Sequence, residues 1–181
     1  SQIGEIKTLI LDDNSTVTLS ADSELNIHFT GDKRELQLLK GRAYFEVAPD
    51  KSRPFTVSAG YASATAVGTA FDVNNTADGV DVVVTHGIVD VRGYRDAEHT
   101  LYRDKEQLFA GQQIHSAING ALDNPETANQ QDALSWRNGR LVFEGETLAV
   151  VTEEINRYRN KKIRLADKEL KQRRITLSVP N

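Results

Sequence analysis

The sequence predicts a mainly β protein, in which an all-β antiparallel multi-strand domain is followed by a small α+β unit with the order β-α-β-β. Two observations support this fold class. Apolar and polar residues alternate with a period of two through most of residues 1–118, and turn residues separate the alternating segments at intervals of about 8–12 residues. Only residues 147–162 show a clear helical period.

The alternating segments of the first domain each have the length and composition of a half-buried strand. They are residues 16–20, 25–29, 35–39, 43–47, 55–59, 69–73, 80–84, 88–93 and 112–118. Asn, Asp and Gly lie between many of them, as at Asp78-Gly79, and mark the predicted turns. Because no fixed repeat runs along the chain, a solenoid or propeller is not predicted.

Residues 119–135 change character, because Asn, Gln and Asp predominate there. We interpret them as a linker between an all-β domain at residues 1–118 and a subdomain at residues 136–181; a long loop inside one domain is the alternative. The subdomain is predicted to contain strands at residues 140–145, 162–166 and 174–179. Since it carries a single helix, its core is marginal, and we expect it to pack on the first domain or on a partner.

The predicted helix has one apolar stripe and a residue suited to cap its N-terminus. Thr147 is suited to the N-cap position. The spacing of three and four residues places four apolar side chains on one face: Leu148, Val151, Ile155 and Tyr158. Glu153 lies four residues before Arg157, which favours an ion pair along the helix.

Composition argues against several functional classes. The chain has 22 basic and 26 acidic side chains and a net charge of −4, which does not favour nucleic-acid binding. It has no cysteine, which excludes disulfides and thiol catalysis, and it has no apolar run long enough to span a membrane. A signal-peptide pattern is also absent. Because the chain begins at Ser1 in strand-like sequence and has no Met, we expect it to be a segment of a longer protein.

Motifs for catalysis or cofactor binding are not found. The four histidines, His28, His86, His99 and His115, do not form a metal-binding spacing. The chain lacks the GxSxG motif of a hydrolase, and "AVGTAFDV" at 66–73 lacks the further glycines and the lysine of nucleotide-binding loops. We therefore predict no enzyme activity, no metal and no cofactor. The polar segment "DKSRP" at 50–54 is interpreted as a corner between two strands, where Arg53 either pairs with Glu46 or is solvated.

Several segments resemble, in order, the periplasmic region of the FecR family of sigma-factor regulators. They are "LDDNSTVTLSADSEL" (11–25), "GRAYFEVAPDKSRPFTVSAG" (41–60), "ATAVGTAFDV" (64–73), "VDVVVTHGIVDV" (80–91), "AGQQI" (110–114) and "WRNGRLVFEGETLAVVTEEINRY" (136–158). Asn14 stands where the family usually has a turn glycine, and Asn tolerates a positive φ. The last part resembles the first half of an STN module (secretin and TonB, short N-terminal), without the second helix and further strands of a complete module.

The resemblance implies a signal relay in the periplasm of a Gram-negative bacterium. Such a regulator has a single inner-membrane helix, which here would lie N-terminal to this segment, and a cytoplasmic anti-sigma part. Its partner is the N-terminal signalling (STN) domain of an outer-membrane TonB-dependent siderophore transducer. Occupancy of the transducer by iron-siderophore then leads, through periplasmic proteases, to the action of an iron-starvation sigma factor.

We expect the partner to add a strand to an open sheet edge, because an unfinished β-α-β-β unit leaves an edge unpaired. The predicted contacts are Ile175, Leu177 and Val179, with Leu141 and Phe143 as alternatives. These side chains could instead pack under the helix, and the backbone edge would then still be available. Alternative functions are an envelope carbohydrate-binding domain, an adaptor of a secretion channel, and an enzyme.

Overall fold

The computed structural model describes residues 1–96 and 98–181, which form a β-rich body (residues 1–129) and a smaller tail (residues 130–181). The body strands are, in chain order, β1 (Lys7–Ile10), β2 (Thr16–Leu19), β3 (Glu24–Phe29), β4 (Arg34–Glu46), β5 (Phe55–Ala59), β6 (Ala62–Ala66), β7 (Ala70–Thr76), β8 (Gly79–His86), β9 (Ile88–Tyr94), β10 (Tyr102–Phe109), β11 (Gln112–Ala117) and β12 (Glu126–Thr127). The mainly β fold class is thus confirmed.

The body is one continuous sheet that folds into two layers at the long strand β4. The N-terminal half of β4 pairs with β3 and β5, and its C-terminal half pairs with β2 and β7. The first layer has the order β3-β4-β5-β6-β9-β10, and the second has the order β1-β2-β4-β7-β8-β11-β12. Among the described strands, β4 and β5 are parallel and every other pair is antiparallel.

The bend in β4 occurs at Gly41, which has a φ of +90°. A Cβ atom at this position would lie 2.1 Å from Oγ of Ser23, so neither the backbone angle nor the space admits a larger residue. The sequence predicted two strands here, at 35–39 and 43–47, whereas the chain forms a single strand of 13 residues. The bend lets one strand belong to both layers.

The space between the two layers is filled by an apolar core. Phe45 lies at its centre, stacked on Phe71 with ring centroids 5.2 Å apart and edge-on to Phe55 at 5.9 Å. Val, Leu, Ala and Ile side chains complete the core. Burial of this apolar surface is the main source of the body's stability.

The segment "DKSRP" is a corner, as predicted, and a buried arginine holds it in place. Arg34, at the start of β4, is fully buried and donates hydrogen bonds to the carbonyl oxygens of Arg53 (2.7 Å), Ala48 (2.9 Å) and Asp50 (3.3 Å). It also forms an ion pair of 2.7 Å with Asp13. Arg53 pairs with the carboxylate of Asp50 at 2.9 Å, and not with Glu46.

The tail contains three helices, one 3₁₀ turn and a two-stranded sheet. They are α1 (Gln130–Ala133), the 3₁₀ turn Ser135–Asn138, β13 (Arg140–Thr147), α2 (Leu148–Arg157), α3 (Lys168–Gln172) and β14 (Arg174–Pro180). Thr147 caps α2, because its Oγ1 accepts a hydrogen bond from the backbone N–H of Val150 at 3.3 Å. No helix in the described residues is both long enough and apolar enough to cross a membrane.

The predicted strand at 162–166 is wrong. This segment has no regular structure, and α3 follows it, so residues 140–180 have the order β-α-α-β. The side chain of Asn156 accepts a hydrogen bond from the N–H of Ile163 (2.7 Å) and donates one to its carbonyl oxygen (2.9 Å). These bonds hold the segment against the end of α2, where it cannot pair with a strand.

Residues 119–135 follow the surface of the body. Ala117 donates a backbone hydrogen bond to Ala121, and Asp123 donates one to His115. Farther along, β12 pairs with β11, and Asn129 caps α1. The segment therefore carries the chain from the edge of the body to the place where the tail begins.

Candidate partner-binding site

The outer edge of the tail sheet is formed by β14. This sheet has two strands, and β14 pairs with β13 in an antiparallel ladder that runs from Arg140↔Pro180 to Thr147↔Arg174. A bulge between Phe143 and Glu146 interrupts the ladder, and Gly145 in the bulge has a φ of +66°. Since β14 pairs on one side only, its other side presents backbone N–H and C=O groups that another strand could use.

The residues predicted to contact a partner are all in this sheet, and they face the interior. Leu141 and Phe143 are buried, while Ile175, Leu177 and Val179 are half-buried and pack in the same apolar cluster. The opposite face of β14 is exposed and polar, with Arg174, Thr176 and Ser178. The five predicted residues therefore form the buried face of the two-stranded sheet, and the accessible features of β14 are its backbone edge and its polar face.

The apolar cluster under the tail sheet also includes residues of the body. Trp136, in the 3₁₀ turn, is 1% exposed and packs with Val151 of α2 and Tyr44 of β4. The guanidinium of Arg137 lies 4.0 Å from the centre of the Tyr44 ring, a cation–π contact. This cluster fixes the position of the tail on the second layer of the body. The tail thus packs on the body, as expected for a unit with a small core of its own.

A buried polar network joins the same two parts. Arg42 of β4 forms an ion pair with Asp72 of β7 at 2.7 Å and donates a hydrogen bond to the carbonyl oxygen of Ala133 in α1. The indole N–H of Trp136 donates to the other oxygen of Asp72 at 3.2 Å. Burial raises the pKa of Asp72 to about 6, despite the hydrogen bonds from Arg42 and Trp136.

A second arginine connects α2 to the body. Arg157, which the sequence predicted to pair with Glu153 along the helix, is 3% exposed. It donates hydrogen bonds of 3.2 Å to the side-chain oxygen of Asn74 and to the carbonyl oxygen of Asn75. It pairs with Glu154 at 2.9 Å and, more distantly, with Glu153 at 3.7 Å, the pair that the sequence indicated.

Between the body and the tail lies a cleft of about 500 Å³, lined by β7, β8 and β11 on one side and by β13 and α2 on the other. His115 and Asp81 face it and are joined by a hydrogen bond of 2.7 Å, which raises the pKa of His115. No group of three His, Cys, Asp or Glu side chains in the described residues could hold a metal ion. The histidines His28, His86, His99 and His115 lie on separate elements or turns.

Comparison with known proteins gives the family. The model of the FecR protein family matches residues 1–90, which include the first eight strands and the start of β9. The chain belongs to the FecR family. A comparison with curated proteins gives no match.

The fold of this FecR-family chain is similar to that of a solved protein from Parabacteroides distasonis, described as a "putative anti-sigma factor". One crystal structure of that protein has a TM-score of 0.86 and 25% sequence identity, and a second has a TM-score of 0.82 and 24% identity. In both cases 99% of this chain and 82% of the other chain are covered. The similarity therefore extends through the tail, beyond the part that the family model matches.

The residues that join body and tail are the ones that the sequence did not reveal. Arg42, Asp72, Glu154 and Arg157 are charged residues in strand and helix patterns, where a solvated position is the usual expectation. A weak signal was available for α2, because Glu154 and Arg157 lie on the same side of the helix at a spacing of three. Nothing in the sequence indicated that this side would be covered by β7.

Proposed function

We propose that this chain is the periplasmic signal-receiving region of an inner-membrane sigma-factor regulator. Membership of the FecR family and the similarity to an anti-sigma factor support the regulatory role. The proposed partner is the N-terminal signalling domain of an outer-membrane TonB-dependent siderophore transducer. In this proposal, the contact reports iron-siderophore occupancy, and regulated proteolysis by periplasmic proteases transmits it to an iron-starvation sigma factor.

The unpaired edge of β14 carries the proposal. A strand of the partner adds to this edge and receives main-chain hydrogen bonds along residues 175–179. The apolar side chains of this sheet contribute to binding indirectly. Ile175, Leu177 and Val179 of β14, together with Leu141 and Phe143 of β13, pack in the apolar cluster and so hold the edge strand in place on α2 and the body. Thr176 and Ser178 lie on the accessible face and supply side-chain selectivity.

The proposed relay uses the division of the chain into residues 1–118 and 136–181, joined by residues 119–135. The partner strand contacts the tail, while the flanking parts of the partner reach the body. Ligand binding of this kind stabilises the docked arrangement by mass action. A change in this contact then alters the packing between body and tail, where Arg42 and Arg157 form hydrogen bonds between the two parts.

The test is to measure binding to a panel of transducer signalling domains by calorimetry, with proline variants of the edge strand. Consecutive N–H groups of a strand point to opposite sides, so of Thr176→Pro and Leu177→Pro one removes an N–H that faces β13 and the other removes a free one. We expect at least one of the two to abolish binding while the body retains its fold by circular dichroism.

The matched control is Thr8→Pro in β1, which is an edge strand of the body and pairs with β2 alone. This variant should bind the partner with the affinity of the unchanged protein. If both β14 variants bind normally, strand addition at this edge is excluded. If no signalling domain in the panel binds the unchanged protein, the proposed partner class is wrong.

A further inference from the structure

The cleft between body and tail is strongly acidic. Its lining contains six carboxylates, against two guanidinium groups and one imidazole. The carboxylates are those of Asp78, Asp81, Asp123, Glu126, Glu146 and Glu154, and the basic groups are those of Arg42, Arg174 and His115. Burial raises the pKa of Glu146, and the nearby charge of Asp81 raises it further, as expected where like charges share a site.

One of these carboxylates has a buried oxygen without a partner. Glu154, in α2, is 5% exposed. Its Oε2 forms an ion pair with Nη1 of Arg157 at 2.9 Å, whereas its Oε1 has no hydrogen-bond partner among the described residues. A buried charged acceptor that is left unpaired is costly, and native proteins rarely keep one without a purpose.

The basic groups near Glu154 already have partners. Arg42 is held by Asp72 and the carbonyl oxygen of Ala133. Arg157 is shared between Glu154 and two groups of β7. Arg174, at the opening of the cleft, donates to the carbonyl oxygen of Gly145 at 2.8 Å. The Oε1 atom of Glu154 is therefore not taken up by these basic groups and is left for a cation from outside.

We propose that the cleft is a binding site for an organic cation, an alkylammonium or guanidinium group that donates a hydrogen bond to Oε1 of Glu154. The carboxylates of Asp81 and Glu146 provide the surrounding negative charge. A volume of about 500 Å³ suits a small amine or a single Lys or Arg side chain. A divalent metal ion fits less well, because no three carboxylates or imidazoles of the described residues are close enough to ligate one.

This site does not include residues 175–179 of β14, and it does not depend on the proposed transducer partner. The body contributes Asp81 and His115, and the tail contributes Glu146 and Glu154. A cation in the cleft therefore contacts both parts and stabilises the docked tail. Two sources can supply the group: a free amine, or a basic side chain of a polypeptide.

The site can be tested by calorimetry at low ionic strength with three probes: agmatine, a blocked lysine-containing tripeptide, and the same tripeptide with its lysine Nε-acetylated. We expect the first or second probe to bind, the acetylated peptide not to bind, and affinity to fall as salt is added. Tighter binding of agmatine identifies a small amine as the ligand, and tighter binding of the tripeptide identifies a side chain. Failure of both cations to bind, or equal binding of the acetylated peptide, overturns the proposal.

Variants locate the site. Glu154→Gln should weaken binding by about ten- to a hundredfold, because a hydrogen bond to a charged acceptor is lost. Glu144→Gln, on the exposed side of β13 and outside the cleft, is the matched control and should bind normally. Since Glu154 also pairs with Arg157, Glu146→Gln provides a second variant, with an expected loss of about threefold from reduced charge alone.

Unchanged affinity in both Glu154→Gln and Glu146→Gln would show that the cation binds elsewhere. Mg²⁺ and Ca²⁺, titrated alone, complete the experiment. Binding of either ion that depends on Glu154 and is tighter than that of agmatine and the tripeptide would also overturn the proposal, because the site would then be a metal site.

Discussion

The body and the tail of this protein are stabilised in different ways. The body has an apolar core of its own, enclosed between two layers of a sheet whose strands pair with neighbours on both sides over most of its width. The tail has two strands and short helices, and its largest buried side chain, Trp136, packs on Tyr44 of the body. The tail therefore relies on docking to bury its apolar residues, whereas the body encloses a core of its own.

The largest effects on stability should come from removing one buried aromatic side chain from the body and one from the tail. Phe45→Ala in the body and Trp136→Ala in the tail should each reduce the free energy of unfolding by about 3–5 kcal/mol, because each leaves a large cavity. Hydrogen exchange with mass spectrometry distinguishes them. Phe45→Ala should increase exchange throughout the molecule, and Trp136→Ala should increase it mainly in residues 136–181.

The exposed aromatic residue Tyr102 provides the control, because Tyr102→Ala removes a ring that lies largely in solvent. It should change exchange little in either part. If Trp136→Ala increased exchange in the body as strongly as in the tail, the two parts would unfold as one cooperative unit, and the body would not be stable without the docked tail.

A smaller loss of stability is expected when a buried, ion-paired arginine is replaced in the body or in the tail. Arg34 fixes the corner of the body through Asp13, and Arg157 fixes α2 through Glu154. Arg34→Met and Arg157→Met keep much of the side-chain volume and leave a buried carboxylate unpaired, at a cost of about 3 kcal/mol each. Denaturant unfolding and hydrogen exchange should show that Arg34→Met reduces protection from exchange throughout the molecule. Arg157→Met should reduce protection only in the tail.

Arg103→Met is a suitable control for both, since Arg103 is exposed and, within the described part of the chain, forms an ion pair only with the adjacent Asp104. Its effect should be below about 0.5 kcal/mol. An Arg157→Met protein with a fully protected tail would show that the polar network contributes nothing to docking.

The smallest expected effect is a pH response at the junction. Burial raises the folded-state pKa of Asp72 to about 6, above its value of about 3.9 in an unfolded chain. The contribution of Asp72 to stability is therefore fully present below about pH 4 and is lost as the pH rises through about 6. Trp136 is the single tryptophan and donates to Asp72, so its fluorescence should change with a midpoint near pH 6.

The variant Asp72→Asn should abolish this transition, and a transition that persists in it would belong to another group. In the body, the stability contributed by Asp13 should depend on pH in the opposite direction. Although burial opposes it, hydrogen bonds from Ser15 and Arg34 lower the pKa of Asp13. The contribution of Asp13 to stability is thus present at neutral pH and is lost only as the pH falls below about 3.9, through the lowered pKa.

The sequence predicted the elements in which apolar residues alternate, and it failed where they do not. The edge strand β10, with sequence "YRDKEQLF", is largely charged because it lies in solvent, and β6, "ASATA", has small side chains because it is covered by neighbouring strands. Neither shows the pattern of a half-buried strand. The wrong strand at 162–166 shows the reverse error, since Ile163 and Leu165 alternate with polar residues there without any strand to pair with.

The turn at Asn14 was predicted correctly, because a positive φ is a local property of one residue; the observed value is 65°. The junction could not be predicted in the same way. Arg42 and Ala133, which share a hydrogen bond, are 91 residues apart, and the bond exists only because the tail folds back onto β7. Local patterns thus determine strands and caps, whereas a buried charge is defined by partners that are distant in sequence.

The strand β4 limits how the body can deform. Because its two halves are registered against different neighbours, the layers cannot slide past each other in shear without breaking the ladders with β3 and β5 or with β2 and β7. Arg34 anchors one end of this strand in the corner, and Arg42 and Tyr44 near the other end support the tail. One backbone thus connects the corner held by Arg34 to the residues on which the tail packs.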